Sequence, residues 1–262
     1  MRANTGERGV AIRGSAVTAL AGHSRRGLGR EANQDRWAAV PRSCGALLVV
    51  ADGMGGTTGG ASAAVAAVAA VLAAELDGAT AGPAGEYGAH AAHGPLGDAV
   101  DAAERAVRAA ASTSEGWCRP GCTLTAALVG AYCAEIAHLG DSSCWLVHRD
   151  TLIRLTDVHT KAAELTECGA LEPSGLAAAR LDNLLTRYLG MPGGAPVQRC
   201  RVGLSPGDRL LLATDGLTRS LPAATLAILL GLGAGPADLV DAAVAAGAQD
   251  DITAVLATLG TA

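Results

Sequence analysis

The chain has 262 residues, half of them hydrophobic, and a net charge of −5 with acidic and basic residues interspersed. It is long enough to bury a sizeable core, and the lack of any basic stripe excludes a nucleic-acid-binding surface. That core must be built from small side chains, because there is no Phe, only 2% of residues are aromatic, and 35 are Gly.

Residues 1–15 carry arginines but no apolar stretch of the kind a secretory leader needs. They read as a disordered end ahead of one domain over 16–260. Strands are expected over 16–21 and 36–40, and the continuous apolar run at 47–51 reads as a strand buried on both faces. A helix is expected over 60–76. Its near-apolar part, 61–74, stops at Glu75 and is too short for a bilayer, so it reads as a core helix with no membrane contact. Residues 78–94 form a small-residue loop. It holds His90 and His93, whose spacing suits a metal but which have no matching cluster nearby. In the next helix, 96–112, Val100, Ala103, Val107 and Ala110 recur at helical spacing, with Asp101, Glu104, Arg105 and Arg108 on the other side.

Strands follow over 123–129, 133–139, 144–148 and 152–155, then short helices over 160–168 and 175–181. Strands over 197–202 and 209–214, helices over 223–230 and 237–246 and a strand over 252–259 complete the chain. Short turns such as 130–131 favour antiparallel pairing, and runs of strands with segregated helices point to α+β layers. Cys44, Cys118, Cys122, Cys133, Cys144, Cys168 and Cys200 are odd in number and contain no CxxC, so they read as small buried hydrophobes of a reducing cytoplasm.

Five aspartates sit at strand edges. Asp52 and Asp215 follow apolar runs and precede Gly; Asp141 follows "AEIAHLG"; Asp35 and Asp250 precede strands. Asp-Gly is also ordinary turn chemistry, and Asp208 in "SPGDR" reads as that simpler case. If the strand ends converge, the carboxylates cannot all ionise without cations, and hard oxygen ligands select Mg²⁺ or Mn²⁺.

Eight stretches in order carry a resemblance over residues 16–259: "GLGREANQDR", "VVADGMGGTTGGASA", "GCTLTAALV", "AHLGDSSCWLVH", "LTDVHT", "LLTRYLG", "LSPGDRLLLATDGLT" and "QDDITAV". The chain resembles the bacterial members of the metal-dependent protein serine/threonine phosphatases, the PPM family. The resemblance implies two packed antiparallel β-sheets flanked by helix pairs, and two Mn²⁺ or Mg²⁺ ions. It implies Asp52 as bridging ligand, Gly53 ligating through its carbonyl, Asp35 reaching metal through water, and Asp215 and Asp250 on the second ion. Asp141 with Asp215 resembles a pair that holds a third, weaker ion. Arg30 falls at a phosphate-binding position. The implied reaction is hydrolysis of phosphoserine and phosphothreonine in proteins by a metal-bridged hydroxide, with Asp52 and Arg30 as catalytic residues. The implied setting is a cytoplasmic monomer in bacterial signalling, acting on phosphoproteins and connected to a serine/threonine kinase or its targets. Specificity is expected in a flap over about 160–184.

Several positions depart from the family pattern. Gln34 stands where Glu is usual, Ser143 where Arg is common, and Asp251 where Asn is usual. Met54 stands where eukaryotic members have His, and Asp157 and His159 are one residue further apart than usual. Gln34 and Ser143 support an alternative, a catalytically weak PPM-like domain that binds phosphoproteins or regulates a kinase, and intact Asp35, Asp52, Asp215 and Asp250 argue against it. His159 is weighed as a proton donor and as a structural flap residue. A serine hydrolase, suggested by "GLSPG", fails because Pro206 and a strand follow the serine where a helix is needed.

Overall fold

In β4 (Gly45–Ala51) all seven residues are buried. Alternation sends Leu48 and Val50 to one face and Leu47, Val49 and Ala51 to the other. Such a strand needs a layer on each side, and the computed structural model supplies both. It describes residues 10–11, 16–43, 45–55, 59–76, 94–112, 120–173 and 175–260.

One sheet has six strands, in the order β1 (Val10–Ala11), β2 (Val17–Arg25), β13 (Ile252–Leu259), β12 (Arg209–Ala213), β9 (Ser143–His148) and β10 (Thr151–Arg154). The other has five, in the order β11 (Gln198–Gly203), β8 (Cys133–Leu139), β7 (Leu124–Val129), β4 and β3 (Arg36–Arg42). A two-stranded ribbon pairs β5 (Gly53–Met54) with β6 (Gly121–Cys122). Every pairing is antiparallel.

The sheets meet through Leu48, Val50, Ile136, Leu210, Leu212 and Val255. Helices α1 (Gly59–Ala73) and α2 (Gly94–Ser112) cover the five-stranded sheet. Helices α5 (Asp215–Ser220), α6 (Ala223–Gly231) and α7 (Pro236–Ala245) cover the six-stranded one. The result is the α+β sandwich of two antiparallel sheets between helices. Between β10 and β11 lie two short helices, α3 (Lys161–Glu167) and α4 (Leu176–Leu181). They occupy the expected flap, whose base is pinned by bridges Thr160↔Leu185 and Cys122↔Leu189.

The expected elements are present, with ends shifted by a few residues. α1 stops at Ala73, where the Ala74 amide turns back to Val71 and Leu76 leaves the helix to be buried. Four pieces escape the sequence reading. β1 lies within residues 1–15, expected to be disordered, yet Val10 and Ala11 pair with Leu20 and Ala19 of β2. β5 and β6 are two residues long. α5 begins on an Asp-Gly pair that reads as a turn, and its six residues cover less than two turns. Cys122, Cys133 and Cys144 are buried as expected, Cys200 is partly so, and Cys168 is exposed. Cys44, Cys118, His90, His93, residues 78–93 and residues 1–9 and 12–15 lie outside the described residues. Among the described residues no helix is long and apolar enough to cross a membrane.

Leu48 is fully buried between the sheets, whereas Leu176 on the flap is 83% exposed. Leu48→Ala is therefore expected to cost about 2–5 kcal/mol, and Leu176→Ala within about 0.5 kcal/mol. Urea unfolding midpoints of the two variants check this.

Candidate metal centre

The face of each strand that meets the opposite sheet runs out into polar residues at one end of the sandwich. On β12 the inward row Leu210, Leu212 continues to Thr214. On β13 the row Ala257, Val255 continues to Thr253. On β4 the row Leu48, Val50 continues to Asp52, and on β3 the row Ala39, Trp37 continues to Asp35. Register places these ends together: Arg36 pairs Ala51, while Ala213 pairs both Ala254 and Ser143. Asp141 and Asp250 lie just before β9 and β13, and Asp215 opens α5, so all five aspartates leave the sandwich at the same end.

Six of the seven expected residues, Arg30, Asp52, Gly53, Asp141, Asp215 and Asp250, line one cleft of about 490 Å³. Asp35 is buried behind it. Its Oδ2 accepts from the hydroxyls of Thr214 (2.8 Å) and Thr253 (2.7 Å), while Oδ1 is buried without a partner. Thr253 is itself bonded to Ser24, and Ser24 to Asn33, so one oxygen of Asp35 is locked and the other left free. Asp52 is fixed through its backbone: its amide donates to Thr123 Oγ1 and its carbonyl accepts from the Thr123 amide. Gly53 has to be small. A Cβ there would lie 2.2 Å from the Gly60 carbonyl oxygen of α1. Gly216 answers the same need on the other side, where a Cβ would meet the Asp251 carbonyl oxygen at 2.0 Å.

Burial pushes the Asp35 carboxyl up to about 7 against the bonds from both threonines. Burial, then the charges of Asp35, Asp215, Asp141 and Asp250, holds Asp52 well above the carboxylate range. Burial and Asp215 raise Asp141 to about 7, opposed by Arg219. Asp215 is raised by burial, opposed by Arg219. Its Oδ1 is buried without a partner. A buried all-oxygen set with unused lone pairs and unfavourable like charge fits hard divalent cations. Among the described residues no three acidic, His or Cys side chains are already gathered closely enough to hold one ion. Arg30 pairs with Asp250, and Arg219 with Asp215 and Asp141.

Two contributors were missed by sequence reasoning. Asp251 is buried, and its two oxygens accept the amides of Gly27 (2.9 Å) and Gln34 (2.7 Å), tying down the loop that carries Arg30 and Asp35. Arg219 stands four residues after Asp215, a spacing that signals an ion pair once α5 is recognised as a helix. Of the departures, Gln34 and Met54 line the cleft. Ser143 does not; it is buried in β9, accepting from Trp145 Nε1. His159 accepts the Gly140 amide at Nδ1, and burial with Arg187 nearby pushes its pKa down to about 4. It is neutral near pH 7 and does not line the cleft. Asp157 pairs with Gln198, and Asp208 accepts the Ser205 amide in the expected turn. A larger cavity, about 710 Å³, lies among α3, α4 and the end of β10, but it contains only Asp182 of the groups around the carboxylates.

The sequence model of the protein phosphatase 2C family matches residues 21–231. The chain belongs to that family. Among curated members it is 34% identical over 110 residues to the serine/threonine phosphatase stp of Listeria innocua, covering 42% of this chain and 44% of that one. The chain thus spans less than half the length of the first curated relatives it matches. Similarity to solved members runs further. The Mycobacterium tuberculosis serine/threonine phosphatase PstP/Ppp is 29% identical with a TM-score of 0.77, covering 92% of this chain and 98% of that one. The catalytic domain of the serine/threonine protein phosphatase PstP in complex with two manganese ions is 30% identical, with a TM-score of 0.73, covering 92% and 97%. These members share the sandwich described above.

The raised carboxyls of this phosphatase 2C chain give its metal-free form a defined pH response. A carboxyl whose folded pKa lies above its ordinary 3.8 contributes most when protonated, and loses that contribution as pH rises to the folded value, about 7 for Asp35. Asp35→Asn keeps the oxygen that Thr214 and Thr253 bond to but cannot ionise. Measured with chelator present, the melting temperature of Asp35→Asn minus that of the parent should grow from about pH 4 to about pH 7 and then level off. A difference that shrinks over this window would contradict the burial of Asp35 as an acid.

Proposed function

We propose that the chain is a metal-dependent phosphatase that hydrolyses phosphoserine and phosphothreonine in proteins. The observation that carries this reading is the single cleft holding Asp52, Gly53, Asp141, Asp215, Asp250 and Arg30, with buried carboxylate oxygens of Asp35 and Asp215 left unsatisfied. Family membership and a manganese-containing relative support it.

Two Mn²⁺ or Mg²⁺ ions are the cofactors that this donor set suits. Asp52 would hold both, with Gly53 contributing its carbonyl, Asp35 reaching metal through water, and Asp215 and Asp250 on the second; when bound, the ions supply Lewis acidity and lower the pKa of water. The chain's own part is orientation. The Thr214–Thr253 cradle fixes Asp35, the Thr123 backbone pair fixes Asp52, and Asp251 fixes the loop of Arg30. Arg30 is 43% exposed at its side chain and offers a planar fork that matches phosphate oxygens. Asp250 keeps that guanidinium at the cleft wall until substrate competes for it. His159, neutral and committed to the Gly140 amide, is a structural flap residue in this reading.

The decisive experiment is turnover of a phosphothreonine peptide after exhaustive chelation and after adding back single metals. Activity should vanish with chelation, return with Mn²⁺ or Mg²⁺, and return poorly with Zn²⁺, which favours N and S ligands. Asp52→Asn and Asp215→Asn should each keep less than about a tenth of the rate, a loss above about 1.4 kcal/mol of barrier. Full activity in chelator would refute the reading.

Arg30→Ala should raise KM more than it lowers kcat, because a phosphate grip acts in ground and transition states alike. Arg30→Lys should restore only part of the loss, since ammonium lacks the fork. Arg25, which pairs with Asp241 and does not line the cleft, serves as control. Equal damage from Arg25→Ala would reduce the effect to general loop charge.

A further inference from the structure

Arg219 makes more polar contacts than a helix-surface ion pair needs. Its Nε lies 2.9 Å from Asp215 Oδ2, and its Nη2 lies 3.4 Å from Asp141 Oδ2 and 3.5 Å from Asp182 Oδ2. Nη2 also donates to the Asp182 carbonyl at 3.2 Å, and Nη1 donates to Asn183 Oδ1. One guanidinium thus joins three places: the first turn of α5, the turn before β9, and the C-terminal end of the flap just after α4. Only a planar, multi-donor cation can reach all of them at once. The Asp141 and Asp215 side chains are each only 10% exposed, so water screens these contacts far less than it screens a surface pair.

The pair Asp141 and Asp215 is also the one that sequence resemblance associates with a weak third ion. Here Arg219 already engages an oxygen of each. We propose that Arg219 is a built-in cation that takes the place of a third divalent ion between Asp141 and Asp215 and ties the end of the flap, Asp182–Asn183, to the metal centre. The inference rests on the dinuclear reading above and deepens it. A tethered guanidinium does not dissociate and is not chelated, so flap attachment in this chain is independent of free metal concentration beyond the two ions of the centre.

The test counts metal directly. Mn²⁺ bound per chain is measured on the full-length protein by equilibrium dialysis, with the free ion read by electron paramagnetic resonance. The parent should bind two ions up to millimolar Mn²⁺, Arg219→Ala should bind a third, and Arg219→Ala with Asp141→Asn should return to two. Hydrogen exchange of the segment 176–190 reports the tether. In Arg219→Ala at two bound ions it should be about tenfold faster, equivalent to about 1.4 kcal/mol, and should slow again when the third ion binds. Arg219→Lys keeps the charge and should exclude the third ion while exchanging faster than the parent.

A parent that binds three ions overturns the proposal and leaves the dinuclear reading standing. So does a folded Arg219→Ala that binds two, or one whose flap exchanges like the parent's. A parent that binds none overturns both readings. If Arg219→Ala does not fold, Asp182→Ala with Asn183→Ala removes the two side-chain contacts of the tether from the flap side and leaves only the bond to the Asp182 carbonyl. It should speed exchange with the ion count still at two, and unchanged exchange would refute the tether.

Discussion

Asp52 meets the charges of Asp35, Asp215, Asp141 and Asp250 in a region where burial has removed most of the water that would screen them. Like charges at such a place cannot coexist unaided. The structure reduces the conflict in two ways: by raised carboxyl pKa values and by the guanidiniums of Arg30 and Arg219. The raised pKa values and the Arg30 pair are provisional substitutes for divalent metal, whereas Arg219, in the reading above, stays in place when metal binds. A site that is poor at resting without cations is, for the same reason, good at taking them up.

The sandwich decides where this conflict sits. Its interlayer rows are aliphatic for most of their length and change to Asp and Thr only at one end, so one rule of alternation builds both the core and the cleft. Antiparallel register aligns the row ends, and the loops that close the strands there bring Arg30 and Asp250. Rigidity comes from backbone and hydroxyl bonds on the side of each carboxylate that faces away from the cleft, as with Thr214 and Thr253 behind Asp35. The free oxygens then keep fixed positions without having to be fixed by a ligand.

Much of this was legible in the sequence. The continuous apolar run of β4, the helical spacing of α2 and the aspartates at strand edges each have a local signature, and they gave the layers and most of the cleft. The remainder depended on partners far along the chain. α5 was hidden because Asp215-Gly216 has the chemistry of a turn, and only contact with the Asp251 carbonyl shows why glycine is needed in a helix there. Arg219 could not be assigned without that helix. Asp251 looked like a departure from a pattern, yet its two oxygens organise a loop more than 200 residues earlier in the chain. Ser143 looked like a loss at the site, whereas its hydroxyl belongs to β9 and Trp145.

The alanines of α1 carry a different consequence. Ala63, Ala64 and Ala67 are fully buried, and the same helix brings Gly60 against Gly53 at the lip of the cleft. The helix is held at its short distance by what its side chains lack. Trimming one of these alanines removes a single methyl, on the order of 0.8 kcal/mol of burial, and adds about 0.5–1 kcal/mol for glycine inside a helix, while enlarging one forces strain of about 1–3 kcal/mol. Growth along this face is therefore at least as damaging as trimming, unlike at core positions filled by large side chains. A lineage could accommodate a larger residue only by lifting the whole helix, and that movement would withdraw Gly60 from Gly53. Drift in an interface with no catalytic group of its own is thereby coupled to the shape of the cleft.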